Sequence, residues 1–208
     1  MASQPQAPSG PRSRSPGRPR EFNVDQALDR AVRVFSERGY HGASISDLTQ
    51  AMRLAQGSLY KAFKDKQQLF LAAFDRYRAQ RMEKLRHAIG EGGTGLERLR
   101  KTLAFYAESS QGAMGRQGCL VVGSTVALSA FEKPLADHVC TALARNEAFL
   151  ADLIRQGQDD GSIAAHVNVE ATARMLLCLT QGMRVVGKTR RSREDMHAVV
   201  EAALRALA

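Results

Sequence analysis

The chain has 208 residues, 44% of them hydrophobic, and no apolar run approaches the roughly 20 residues that span a bilayer. Formal net charge is +9, and residues 1–66 carry eleven Lys/Arg against six Asp/Glu. That front-loaded basic charge points to a polyanionic partner, nucleic acid first. The three cysteines Cys119, Cys140 and Cys178 are odd in number and lack CxxC spacing, which argues against a disulfide framework or a structural zinc site. No cofactor or metal is expected, and a cytoplasmic location is the default.

In chain order, residues 1–20 form a basic tail without core-forming residues, with Arg12, Arg14, Arg18 and Arg20 spaced by Ser, Pro and Gly. The segment reads as disordered in isolation. The apolar residues after it recur at helical spacing throughout, which predicts an all-α protein of about nine helices. The expected division is a tail at 1–20, a DNA-binding domain at 21–66 and a regulatory and dimerisation domain at 67–208.

The first helix is predicted from Val24 to Arg38, capped by Asn23, with Ala27, Leu28, Ala31, Val34 and Phe35 on one face and Gly39 ending it. Ser44 with Asp47 three residues on reads as a capping box for a second, short helix. A turn follows at Arg53-Leu54-Ala55, then a third helix over Gln56 to Ala62, and Asp65 caps a long fourth helix to about Ala88. Gly90, Gly92, Gly93 and Gly95 break it. Further helices are expected at about 95–110, 119–130, 133–157, 168–187 and 193–206.

Two short helices joined by a three-residue turn, with a third packed across them, make a helix-turn-helix. The second must expose one face, here Gln56, Gly57, Ser58, Tyr60 and Lys61, while Leu59 and Phe63 hold it to the core. Gln56 and Ser58 suit base edges, and Gly57 lets the backbone approach the groove. Tyr60 and Lys66 suit phosphates, and Ser44 at a helix N-terminus adds a further phosphate site.

The residues Ala31, Phe35, Gly39, Tyr40, Ser44, Ile45, Leu48, Ala51, Gly57, Leu59, Tyr60, Phe63, Lys66 and Leu69 resemble the TetR family of one-component regulators over about 45 residues without a gap. Arg53 departs from that pattern, which usually has a small residue in the turn. The resemblance implies a homodimer through the last two helices, a palindrome-like double-stranded operator, and repression as the mode of action. Two apolar stripes agree with a dimer face: Ala171, Met175, Leu179, Met183 and Val186, and Met196, Val199, Val200, Ala203, Leu204 and Leu207. Packing within the monomer would use the same stripes.

The second half carries no Ser/His/Asp set, HExxH or phosphate loop. Its distinctive stretch is Arg116-Gln117-Gly118-Cys119-Leu120. Cys119 is expected in the first turn of a helix, where the helix dipole and Arg116 favour the thiolate. The segment is similar to a TetR branch in which such a cysteine responds to electrophiles or oxidants, and Lys188 is expected to add positive potential. A buried core cysteine is the plainer alternative. A conventional ligand pocket would draw on Leu103, Tyr106, Val122, Val126, Phe149 and Met175, which core packing explains equally well. Cys140 and Cys178 are expected in the core. An architectural DNA binder and a cysteine-nucleophile enzyme are the remaining readings; none of the five histidines lies in a partner motif for the second.

Overall fold

The computed structural model describes residues 23–207, so the arginine-rich stretch at 1–20 lies outside them. All regular structure among the described residues is helical, in ten α-helices and two 3-10 turns, which agrees with the all-α expectation. None of these helices is long and apolar enough to cross a membrane.

Helix α1 (Val24–Gly42) starts at Asn23, whose side chain accepts the Gln26 N–H at 3.0 Å. It buries Ala27, Leu28, Ala31, Val32 and Phe35. Helical geometry fails at Gly39, which sits at φ 70 and ψ 175 as only glycine does at low cost, and one further turn follows. Helix α2 (Ile45–Met52) has the expected capping box, and α3 (Gln56–Ala62) follows the turn. Helix α4 (Lys66–Ile89) is capped by Asp65 and ends at Gly90 in the left-handed half of backbone space. Helix α5 (Gly95–Ser109) opens on a Thr94–Glu97 capping box.

Helix α6 (Gly112–Gln117) was not expected: its six residues include two glycines and show no apolar period. The single helix anticipated at 119–130 is instead α7 (Leu120–Val126) and a 3-10 turn (Leu128–Ala130). Helices α8 (Lys133–Asp159), α9 (Val169–Val186) and α10 (Arg193–Arg205) complete the chain, the last two capped by Asn168 and Ser192, with a second 3-10 turn (Gly187–Thr189) between them.

Two apolar cores result. The first gathers Phe35, Leu48, Leu59, Phe70 and Phe74 from α1–α4, and it also takes Leu120 and Val121 from α7 and Leu135 and Val139 from α8. The second unites α5, the latter half of α8, α9 and α10 around Leu103, Ile154, Leu176, Met183 and Val200. Helices α5 and α8 meet where Gly95 faces Gly157, so closely that a Cβ on Gly95 would lie 2.1 Å from the Gly157 nitrogen.

Helix α4 is tied to α1 by one guanidinium. Arg76 donates Nε and Nη2 to the two oxygens of Asp29 at 2.6 and 2.9 Å, and Nη1 to Asp25 at 2.7 Å. Gln80 adds a donor to Asp29 at 2.7 Å. These bonds, Arg76's foremost, hold the Asp29 carboxyl below its usual range against the opposing effect of burial. A depressed carboxylate stabilises the fold above its unfolded pKa and loses that contribution as pH falls through the folded value. Asp29→Asn is therefore expected to cost about 1 kcal/mol at neutral pH, discounted for partial exposure, or roughly 2–4 °C in Tm. In thermal melts against pH, the gap between variant and wild type should close as pH falls below the ordinary carboxylate range; a gap independent of pH would contradict the charge-pair account.

Candidate nucleic-acid interface and sensor cavity

The helix-turn-helix is built from caps. The Ser44 hydroxyl accepts the Asp47 N–H at 3.0 Å and donates to the Asp47 carboxylate at 2.7 Å, while the Ser44 N–H donates to the same oxygen at 3.0 Å. Asp47 also pairs with the exposed Arg38 at 2.5 Å. Ser44 is thus committed to shaping α2, and Arg38 is the exposed cation paired to that cap. At the turn, Arg53 takes the left-handed conformation (φ 56, ψ 43). A side chain there costs about 1 kcal/mol relative to glycine. The Arg53 and Leu54 N–H groups donate to Gln50 and Thr49 carbonyls at 3.2 and 3.0 Å, and Arg30 reaches across from α1 to the Met52 carbonyl at 3.2 Å. Sequence reasoning missed Arg30 and Arg38; only their one-residue place on the polar side of α1 could have flagged them.

Helix α3 presents Gln56, Gly57, Ser58, Tyr60 and Lys61 to solvent while Leu59 is fully buried and Phe63 seals the base. Lys66 is half-buried, with Nζ 4.7 Å from the centre of the Tyr40 ring, and burial lowers its pKa. The cation–π contact places its ammonium at the rear of the exposed face.

A cavity of about 520 Å³ lies between α4, α5, α7, α8 and α9. Cys119 and Tyr106 are on its wall, but the other residues anticipated for it are not. Val121 lines it in place of Val122. Leu103 and Phe149 belong to the second core. Met175 and Val126 are exposed. Arg116 is exposed at the end of α6, and Lys188 is exposed in the 3-10 turn, its Nζ directed at Gly118. Cys140 and Cys178 are exposed rather than in the core.

The positive charge beside Cys119 comes from Arg184, buried at 4% exposure one helical turn before Lys188. Its Nη2 donates to the Gly118 carbonyl at 3.0 Å. Cys119 is the N-cap residue of α7, in extended conformation, rather than part of its first turn. Sγ accepts the Tyr77 hydroxyl at 3.4 Å. Burial is the largest influence and opposes the thiolate, but the Arg184 charge, the Tyr77 hydroxyl and the Val122 N–H dipole together outweigh it, so the thiol pKa falls below its ordinary value. Tyr77 moves the other way, pushed up by burial and by Cys119, and stays a donor. Arg184 and Tyr77 escaped the sequence reading because each lies in an otherwise regular helix where no local motif marks it.

The loop that carries Cys119 into the cavity wall also packs against α1. Gly118, at φ 89, lies so near α1 that a Cβ there would be 3.0 Å from the Ser36 carbonyl oxygen. The next two residues but one, Leu120 and Val121, enter the first core. Farther along, His41 lies 3.0 Å from the Ala130 carbonyl, and Tyr40 packs edge-on to Phe131 at 5.6 Å between ring centres.

The model of the bacterial regulatory proteins of the tetR family matches residues 27–73, and that of the tetracyclin repressor-like C-terminal domain matches residues 95–203. The chain is 29% identical over 193 residues to the HTH-type transcriptional repressor ComR of Escherichia coli K12, covering 92% of each chain. It is 28% identical to the HTH-type transcriptional repressor DhaR of a Mycobacterium species, over 86% of this chain and 89% of the relative. Among solved structures, a cysteine mutant of the TetR family transcriptional regulator CifR, complexed with 26-bp double-strand operator DNA, superposes with a TM-score of 0.83 at 34% identity, over 92% of this chain and all of that one. The helix-turn-helix, the helical second domain and both matched models agree: this chain belongs to the TetR family of DNA-binding transcriptional regulators.

Proposed function

We propose that the protein is a homodimeric repressor that holds a palindrome-like operator and releases it when the cavity beside Cys119 receives a signal. The observation that carries the DNA-binding part is α3, whose Leu59 is fully buried while Gln56, Gly57, Ser58, Tyr60 and Lys61 all face solvent. In this reading Gln56, Gly57 and Ser58 meet base edges, and Tyr60 and Lys61, with Lys66 behind them and the helix start at Ser44 alongside, meet the phosphate backbone. The operator complex of the CifR mutant supports double-stranded DNA as the partner. A DNA target fits a cytoplasmic protein.

A dimer through α9 and α10 is supported by what the monomer leaves uncovered. Met196, Val200, Leu204 and Leu207 pack inward, but Met175, Val185, Val186 and Val199 remain 38–49% exposed. Of the two stripes, then, only the outer members are available to a second copy. A two-fold dimer would set its recognition helices on two half-sites of the operator. For the signal, the pairing of Cys119 with Arg184 and Tyr77 supports a reactive thiol, and the cavity supports a small molecule. A regulator is favoured over a cysteine enzyme because the partner of Sγ is a phenol rather than a base.

Three outcomes test this reading. In gel shifts on the DNA upstream of the chain's own gene, Lys61→Ala should weaken binding to every sequence and reduce the salt slope by about one; protection of DNA without a preferred site would indicate an architectural binder instead. Gln56→Ala should relax one position of the selected operator consensus, a loss of roughly 1–3 kcal/mol of discrimination; an unchanged consensus would remove Gln56 from base reading. In a Cys140→Ser, Cys178→Ser background, Tyr77→Phe should slow alkylation of Cys119 severalfold at neutral pH, because loss of the phenol donor raises the thiol pKa. Equal rates would show that the thiolate is not held by Tyr77.

A further inference from the structure

The cavity wall is strongly cationic. Arg78, Arg81, Arg145 and Arg184 line it, against the single carboxylate of Asp75. Asp75 is already engaged by His138 at 2.7 Å. None of the four guanidinium groups is in an ion pair among the described residues. Arg81 donates to the Ser109 hydroxyl at 2.9 Å and stacks on Phe105 at 4.5 Å. Arg184 is the most telling: at 4% exposure, its Nε and Nη1 have no hydrogen-bond partner among the described residues, and the side-chain amide oxygen of Gln181, one turn earlier on the same wall, has none there either.

Buried donors of a fixed charge are costly to leave unpaired. In a guanidinium the Nε–H runs parallel to an Nη2–H, and in Arg184 Nη2 is the nitrogen bonded to Gly118; Nη1 lies on the other side and can donate a charge-assisted bond to a carboxylate oxygen by itself. The remaining wall is aromatic and apolar, with Tyr106, Phe105, Met82 and Leu85. Its volume is in the range that encloses a small organic molecule.

We propose that the cavity is a binding site for a small organic carboxylate, whose charged end accepts from Nη1 of Arg184 and whose apolar body lies against Phe105, Tyr106 and Leu85. Arg145, exposed at the rim, and Arg78 beside it draw the anion in. Burial and the neighbouring Arg145 charge both disfavour the protonated Arg78, so an anion entering here relieves a repulsion already present. A neutral ligand of the same shape leaves the buried Arg184 charge without a counter-ion, and a cation meets four like charges. The assignment of this ligand as the inducer rests on the reading of the protein as a signal-released repressor; the ligand class itself does not.

The test is calorimetric titration of the full-length protein with benzoate, naphthoate and octanoate, each against its own amide. At least one carboxylate is expected to bind ten times more tightly than its amide or better. Arg184→Gln should abolish that preference. Because Arg184 also holds the Gly118 carbonyl, Arg145→Gln is the companion variant. Arg145 makes no bond in the fold, and its loss should weaken the carboxylate severalfold at low salt while leaving the amide unchanged. Equal binding of acid and amide, binding of none of the three acids, or a preference that survives both variants would overturn the proposal. Adding the preferred acid to an operator gel shift then separates the two claims: binding without release keeps the anion site and rejects its role as inducer.

Discussion

The structure turns on a single buried cation. Arg184 must keep its charge, and with 4% exposure it has little water to share that charge with. What it finds instead is the Gly118 carbonyl, the Cys119 sulfur and an open cavity. The carbonyl fixes the loop before α7, and the loop fixes where Leu120 and Val121 enter the first core. The position of α7 against α1 and α4 therefore depends on how the Arg184 charge is satisfied. Anything that alters the sulfur, by alkylation, oxidation or competition for the guanidinium, acts on the same point.

This arrangement explains why the two cores do not follow the expected division at residue 66. A chain division there would leave the first three helices and α4 with a small core of their own. Instead α7 and the beginning of α8, which belong to the second half of the sequence, complete the first core. The DNA-binding helices and the cavity are thus packed together through α4 and α7, not joined by a linker. An effect at the cavity needs no long relay to reach α1, because Gly118 already touches it.

Local rules carried the sequence reading furthest. Asn23, Ser44, Asp65, Asn168 and Gly39 marked helix ends because capping depends on neighbours a few residues away. The burial of Leu59 and exposure of its neighbours followed from helical spacing for the same reason. Arg53 was legible as an oddity, and it does lie at positive φ. What the sequence could not show was pairing across long separations. That Cys119 would need a cation was clear from thiol chemistry, but Arg116 and Lys188 were the choices, whereas the fold supplies Arg184, one turn before Lys188, because helical spacing does not say which cation of a helix end turns inward. Helix α6 stayed hidden because six glycine-rich residues show no period. The stripes of α9 and α10 were real, but periodicity does not say which half of a stripe faces home and which faces a second copy.

The Arg76 clamp gives the DNA-binding unit a mechanical character. By binding Asp25 and Asp29 together, Arg76 makes the front of α4 and the start of α1 one stiff piece, and Tyr77, the next residue, lies on the cavity wall. From Tyr77 back to the start of α4 at Lys66 the helix measures about 16 Å. A rotation of roughly ten degrees about Tyr77 therefore swings the far end by about 3 Å, close to the rise of one base pair. Under the proposed release by a signal, this lever would act as a gear: a small change in angle at the cavity would become a misfit of one step in the register of the groove.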